Sequence, residues 1–521
     1  MDKLINKSKN RWKNTSGFAT LELMISLAII SLILTAVILV SFSNQSFLIG
    51  SQTSNEAMKL AQSIVEEEQA LARKDFNLVN STTLPEQDIY TRSVSVKTLP
   101  DFLTKEVKAV INWKGERGQD KVLELKTLIT NFDSPVGGNT CDSNLAGDWS
   151  DPEIEQTIDF STLPGIPVSA YTISDVDAFK GKLYVTASET TNLTDPTFFV
   201  FDISDPSDPE LEGEIDNESA STTSAGLSAV RVSEDPADMD RVYAYTTNAY
   251  MCDPTTINPA CNGQLYIFDV TNQNPAVEAK IKIISSPAIV GPTAGTSVFY
   301  KNGYVFVGLV KTDGPEFNIL DVHNPEDLSN GSYSAVGSFE TEDGLNALHV
   351  RNNFAYLATT NLTSDDELRI LNISSLNAPY PGASGAYYGF NSATGAGRGK
   401  SLYLVGDRLY LGKTSPNAGN DFHILDNLNP AGTLTELGGI DVGSSINSLI
   451  VRDYLSFLLT NSQLRVYRTD DEGAISLLGS LSLPSTGSST EPSMDCEGNR
   501  LYISANNAIG EGSIYIIAPN E

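Results

Sequence analysis

Residues 150–521 repeat themselves about every fifty residues, and a chain built this way cannot fold as one ordinary layered domain. An aromatic residue recurs inside a short apolar stretch at Tyr184, Tyr243, Phe306, Tyr356, Tyr410, Phe457 and Tyr502. A second stretch follows each one, reading FFVFDIS at 198–204, LYIFDVT at 265–271, FNILDVH at 317–323 and FHILDNL at 422–428. Asp202, Asp269, Asp321 and Asp426 hold one place in these stretches, with Asn372 in a further copy. Turn pairs such as Asp205-Pro206, Asn274-Pro275 and Asn324-Pro325 come next. Short stretches of this kind bounded by Gly, Pro and Asn read as strands.

A strand before each aromatic and a fourth after each Asp give four strands per unit and seven units. That pattern predicts a seven-bladed β-propeller over 151–521, because a four-stranded unit cannot bury both its faces alone. The seventh unit lacks a fourth strand, and the Ile154–Phe160 segment before the first unit is expected to supply it. The recurring Asp is expected to bond its own turn. On the innermost strands, the positions aligned with His349 are Asp177, Arg231, Phe299, Tyr403, Ile450 and Asp495. This mixture does not read as a preorganised catalytic site. Nucleotide, hydrolase and zinc-protease fingerprints are absent, and the three histidines hold different places in their repeats. The chain is therefore expected not to be an enzyme. The repeat pattern also resembles the LVIVD-repeat family of propellers, which is found on bacterial surface proteins.

The remaining 150 residues are organised differently. Residues 1–17 carry Lys3, Lys7, Lys9, Arg11 and Lys13 against Asp2, whereas the whole chain has a net charge of −31. Such an acidic body repels phosphate backbones, so no nucleic-acid partner is expected. After the basic head, Leu23–Val40 is an unbroken apolar run close to the ~20 residues a helix needs to cross a bilayer. Basic residues before it predict a cytoplasmic N-terminus and an exported remainder. No small-x-small cleavage site follows the run, and helical periodicity continues through Ala57, Leu60, Ala61, Ile64 and Val65. Strand-like segments at Ser93–Val96, Val107–Trp113 and Val122–Ile129, the last two joined through Gly115 and Gly118, form a small antiparallel sheet.

The short basic leader, Gly17, Phe18 and then Glu22 resemble the type IV prepilin signal. In that family a prepilin peptidase cuts after the glycine, and the new N-terminal residue is methylated. The resemblance implies Gly17 as the last leader residue, Phe18 as the mature N-terminus and Glu22 as the filament-assembly carboxylate. It also implies other pilin subunits, the assembly machinery and the inner membrane as partners, and then the cell surface or pilus as location. A buried carboxylate in an apolar helix needs a cation, and the free amine of Phe18 on a neighbouring subunit is the natural one. A long helix followed by a small sheet is the architecture of pilins and pseudopilins. The expected domains are a leader (1–17), a transmembrane or filament-core helix (18–50), an α+β body (51–132), a linker (133–150) and the propeller (151–521). The expected role is a minor pilin or pseudopilin that displays the propeller for adhesion to an extracellular ligand. A membrane-anchored propeller outside any filament is the alternative, and a propeller enzyme a more remote one.

Four cysteines form no CxxC pair, and two disulfides fit an exported chain, with four buried thiols as the other option. Cys496 ends the first strand of unit seven and Cys141 lies just before the donated strand. Strand alternation puts both on one face, so Cys141–Cys496 is expected as a clasp. Cys252 and Cys261, nine apart in one loop, are expected to pair locally. Acidic runs at Glu234–Asp240, Asp365–Glu367 and Asp470–Glu472 offer the oxygens calcium prefers, but without the spacing of a calcium loop. No cofactor or metal is assigned.

Overall fold

The structure, a computed structural model, describes residues 16–521 apart from 75–78, 88, 99–103, 116–117, 131–146, 164–170, 190–195, 216–225, 236–237, 250–264, 272–279, 285–292, 326–334, 361–366, 381–387, 393–396, 415–418, 433, 453, 470–473, 484–490, 508–510 and 521. The chain divides into two compact units. One comprises Met1–Lys97 with Lys105–Ile129, and the other Thr98–Thr104 with Thr130–Glu521.

The first unit is built on α1, a helix of 59 residues from Ser16 to Lys74. Its first half, Thr20–Phe42, has a mean hydropathy of 3.0, and none of its most apolar stretch is buried within the chain. Ser26, Ser31 and Thr35 turn their hydroxyls back onto carbonyls one turn earlier, which satisfies these polar groups inside an apolar segment. The second half is amphipathic. Ala57, Ala61 and Ile64 are fully buried, and they pack with Val94, Val107, Ala109, Ile111 and Trp113. These belong to a four-stranded sheet of Thr82–Gln87, Tyr90–Thr98, Thr104–Lys114 and Asp120–Thr130 in that order. Small residues on the helix let it approach the sheet closely, and the Tyr90 hydroxyl donates to the Thr53 carbonyl at 3.0 Å. The last two strands contain the expected hairpin. Gly115 N–H donates to the Gln119 carbonyl, and Gly118 takes a φ of +73° that a side chain would resist. The strand at Thr82–Gln87 was not legible in the sequence.

Among the described residues the second unit contains seven four-stranded sheets, numbered 1–7 in chain order. Sheets 1–6 are each built from consecutive strands, which pair as antiparallel neighbours. In sheet 7 the fourth strand is Asp148–Asp159, which pairs antiparallel with Gly512–Asn520. The donated strand is thus where the sequence placed it, and longer than expected. Trp149 at its start is 1% exposed and lies edge-on to Phe457 at 4.8 Å.

The repeating Asp does what its turn chemistry predicts. Asp202, Asp269, Asp321, Asn372 and Asp426 each accept a hydrogen bond from the backbone N–H two residues on. One repeat position needs correction. Tyr184, Phe306, Tyr356, Tyr410, Phe457 and Tyr502 all pair with the aligned first-strand positions, but in sheet 2 the partner of Arg231 is Tyr245, not Tyr243. The second strand of sheet 2, Asp238–Asn248, carries tyrosines two apart on one face, so the pattern fits either.

Candidate functional site

The first strands of the seven sheets contact one another through side chain to backbone bonds. Ser174 donates to the Leu227 carbonyl, Ser228 to Gly295, Asn346 to Gly399, Ser401 to Ile446 and Ser448 to Met494. Between sheets 7 and 1, Ala178 N–H donates to Asp495 Oδ2 at 2.7 Å and Gly181 N–H to Glu497. Asn506 bonds both the N–H and the carbonyl of Ile173. Except between sheets 3 and 4, short polar or acidic side chains thus tie each sheet to the next without spending core volume. This ladder was not read from the sequence, because Ser and Asn are common everywhere.

All seven first strands line one cavity of about 560 Å³. The seven aligned positions, Asp177, Arg231, Phe299, His349, Tyr403, Ile450 and Asp495, all border it. Sequence alignment of the repeats therefore found the lining. It did not find how the lining is organised.

One side is acidic. Asp177 is 1% exposed, accepts from Val232 N–H at 2.7 Å and lies 3.4 Å from Arg231 Nη1. Asp175 accepts from Val230 N–H at 2.9 Å, stands 3.8 Å from the same nitrogen and also bonds the Ser493 hydroxyl. Burial and then the Asp495 charge push the Asp177 carboxyl well above the usual range. Burial pushes Asp495 up to about 6, with Arg231 the largest opposing influence. Three carboxylates thus share one guanidinium, and two of them resist ionisation.

The other lining groups are mostly satisfied among themselves. Arg452 bonds the Tyr403 hydroxyl and the Val451 carbonyl. Lys400 of sheet 5 pairs with Glu491 of sheet 7, and burial brings the ammonium down to about 8. His349 is held down to about 3 by burial and then by Arg351, so it is neutral. Its ring packs on Phe299 at 4.5 Å, and its Nδ1 has no hydrogen-bond partner among the described residues.

The other histidines stand apart. His323 is half-exposed and pairs with Asp321 at 2.6 Å. His423 is buried between Glu436 and the Asn420 carbonyl. Among the described residues no group of three His, Cys, Asp or Glu side chains is arranged to hold a metal ion. The acidic runs serve ion pairs: Glu234 with Lys180, Asp238 with Arg241, and Glu367 with the fully buried Lys413 at 2.7 Å. Residues 365, 366 and 470–472 lie outside the described residues. A second device was missed. Glu316, Glu367 and Asp421 each directly precede a third strand and accept backbone N–H groups of Thr341, Ser392 and Val442 respectively, some 21–25 residues later.

Gly17 and Phe18 fall within α1, and the backbone carbonyl of Glu22 accepts from Ser26. Cys496 is fully buried and disulfide-bonded. Cys141, Cys252 and Cys261 lie outside the described residues.

No family model matches this chain, and no curated protein matches it. Among solved structures it is similar to the AfRom2 CNH domain, at 6% identity and a TM-score of 0.40, over 71% of this chain and 99% of that one. It is also similar to a protein from Lactobacillus plantarum, at 12% identity and a TM-score of 0.37, over 54% and 83%.

Proposed function

We propose that this chain is a minor pilin or pseudopilin that carries a seven-bladed β-propeller as its recognition head. The observation that carries the reading is the helix Ser16–Lys74 with Gly17, Phe18 and Glu22 at its start. Its first half presents apolar side chains on every face, and none of its most apolar stretch is covered by the described residues. Lipid satisfies such a surface, and so does a bundle of like helices. A helix that must leave the bilayer for a filament needs both. A lone carboxylate near its start is expensive in either setting unless a cation meets it, and the Phe18 amine freed by cleavage is that cation.

The propeller reading draws on the seven sheets, the ties between successive first strands, and the ties from sheet 7 back to sheet 1. Completing the last sheet with the strand at 148–159 closes such a ring, and Cys141 is the proposed partner of Cys496. The lining mixes apolar groups with internally paired charges, which suits recognition more than catalysis. The partners are prepilin peptidase, other pilin subunits and an extracellular ligand.

The test is N-terminal mass analysis of the membrane-extracted chain, from cells with and without prepilin peptidase. The expected mature chain begins at N-methylated Phe18 only when the peptidase is present. A chain still starting at Met1 overturns the filament reading and leaves a tethered head. Cleavage beyond Val40 overturns membrane anchoring as well.

A further inference from the structure

We infer that the cavity shared by the seven first strands binds a small zwitterion, a free amino acid or short peptide, between the Arg452 guanidinium and the Asp495 carboxylate. The inference does not rest on the filament reading, since a merely tethered chain would carry the same cavity.

Most charges of the lining meet an opposite charge: Arg231 with Asp175 and Asp177, and Lys400 with Glu491. Two do not, and they are of opposite sign. Arg452, at the end of the first strand of sheet 6, is 8% exposed. Its Nη1 donates to the Tyr403 hydroxyl and, at 2.9 Å, to the Val451 carbonyl, and the guanidinium lies 5.4 Å from the centre of the Tyr403 ring. No carboxylate pairs with it among the described residues. A guanidinium has five N–H donors, so Nε and Nη2 keep theirs, and neither nitrogen is sealed from the cavity.

Asp495, in the first strand of sheet 7, is 6% exposed. Its Oδ2 accepts from Ala178 N–H at 2.7 Å. Among the described residues no cation pairs with it, because Arg231 meets Asp177 at 3.4 Å and Asp175 at 3.8 Å instead. A buried charge without a counter-charge is costly, and here one of each sign borders one cavity. An anionic ligand answers Arg452 and adds to the excess of carboxylates. A cationic ligand answers Asp495 and leaves Arg452 as it was. A neutral ligand answers neither, and a zwitterion answers both.

Spacing agrees. Arg452 lies two residues beyond Ile450, the sheet 6 position aligned with Asp495, so the two levels differ by about 7 Å along the strands. An α-ammonium and an α-carboxylate, each with a charge-assisted bond of ~2.8 Å, span a gap of that order. The cavity volume of about 560 Å³ leaves room for a side chain or a second residue, and Phe299, Leu348, Ile450 and Met494 offer it apolar surface.

The experiment uses the full chain in dodecyl maltoside, above pH 7, where the Asp495 carboxyl, pushed up to about 6 by burial, is ionised. Isothermal titration is run with leucine, methionine, phenylalanine, alanyl-alanine and alanyl-leucine. Each has two capped comparators, the C-terminal amide, which lacks the carboxylate, and the N-acetyl form, which lacks the ammonium. At least one zwitterion is expected to bind, and either cap is expected to weaken it by about tenfold or more. Arg452→Met should weaken the zwitterion as the amide cap does and leave the amide's own affinity unchanged. Asp495→Asn should do the same with respect to the N-acetyl cap. The capped ligands test the parent chain, so the proposal stays testable if a variant unfolds. It is overturned if no zwitterion binds, if capped and free forms bind alike, or if variants whose thermal unfolding matches the parent bind the zwitterion unchanged.

Discussion

The third strands and the first strands of the repeat sheets obey different rules. In sheets 1–5 the third strand is four consecutive buried residues and then a half-buried Asp or Asn. At the matching level of the first strands, the residue is Asp, Arg, Phe, His, Tyr, Ile and Asp in turn. A third strand is covered on both faces, so its side chains are apolar and shaped to their neighbours or, at Asn318, Arg369 and His423, polar and bonded to nearby groups. A first-strand residue has one side on the cavity, and the packing requirement there is relaxed. Uniform chemistry marks where the fold is specified, and varied chemistry marks where it leaves room for something else.

Three tests would break or sharpen that contrast. Ile370→Ala, in a third strand, should cost about 2–5 kcal/mol in urea unfolding. His349→Ala, in the first strand of the same sheet, should cost within about 1 kcal/mol, because an unpartnered buried nitrogen is removed along with the ring. Equal costs would abolish the distinction.

The second concerns the acidic side of the cavity. The Asp495 carboxyl takes up its proton in the folded state near 6, above its usual 3.8, so the folded chain binds protons more readily than the unfolded one. Its contribution to stability therefore improves as pH falls through 6 towards 4 and is lost as pH rises again. Asp495→Asn mimics the protonated form. The parent should lose stability relative to this variant between pH 4 and pH 7, as measured by paired unfolding curves, and a constant difference would remove Asp495 as a titrating group.

The smallest effect belongs to the repeating turn. Asp426→Ala deletes the acceptor for Leu428 N–H and should cost about 1 kcal/mol, whereas Asp426→Asn should be nearly silent, as Asn372 already serves in sheet 4. A large loss in Asp426→Asn would mean the charge matters, not the turn.

What was legible in the sequence is what repeats. The aromatic, the turn Asp, the missing fourth strand and the seven lining positions all recur or interrupt a recurrence. The misplacement at Tyr243 came from an extended strand with Tyr245 two residues on, which periodicity of two cannot separate. The carboxylates of Glu316, Glu367 and Asp421 escaped notice because each binds a backbone amide in a connection whose sequence does not repeat. The pairing of Asp175 and Asp177 with Arg231 also lies between sheets, where no single repeat contains both partners.

The strand Asp148–Asp159 sets an order in time. It is made before the other strands of the seven-sheet region, yet its partner Gly512–Asn520 is made only after the strands of sheets 1–6. For the whole interval its edge stands open, and an open edge pairs with whatever strand is nearest. Several hundred residues must be ordered before the correct partner arrives, which makes this the slowest pairing to reach and the most exposed to mispairing. The first strand of the repeat region must therefore be kept from pairing elsewhere until Gly512–Asn520 has been made.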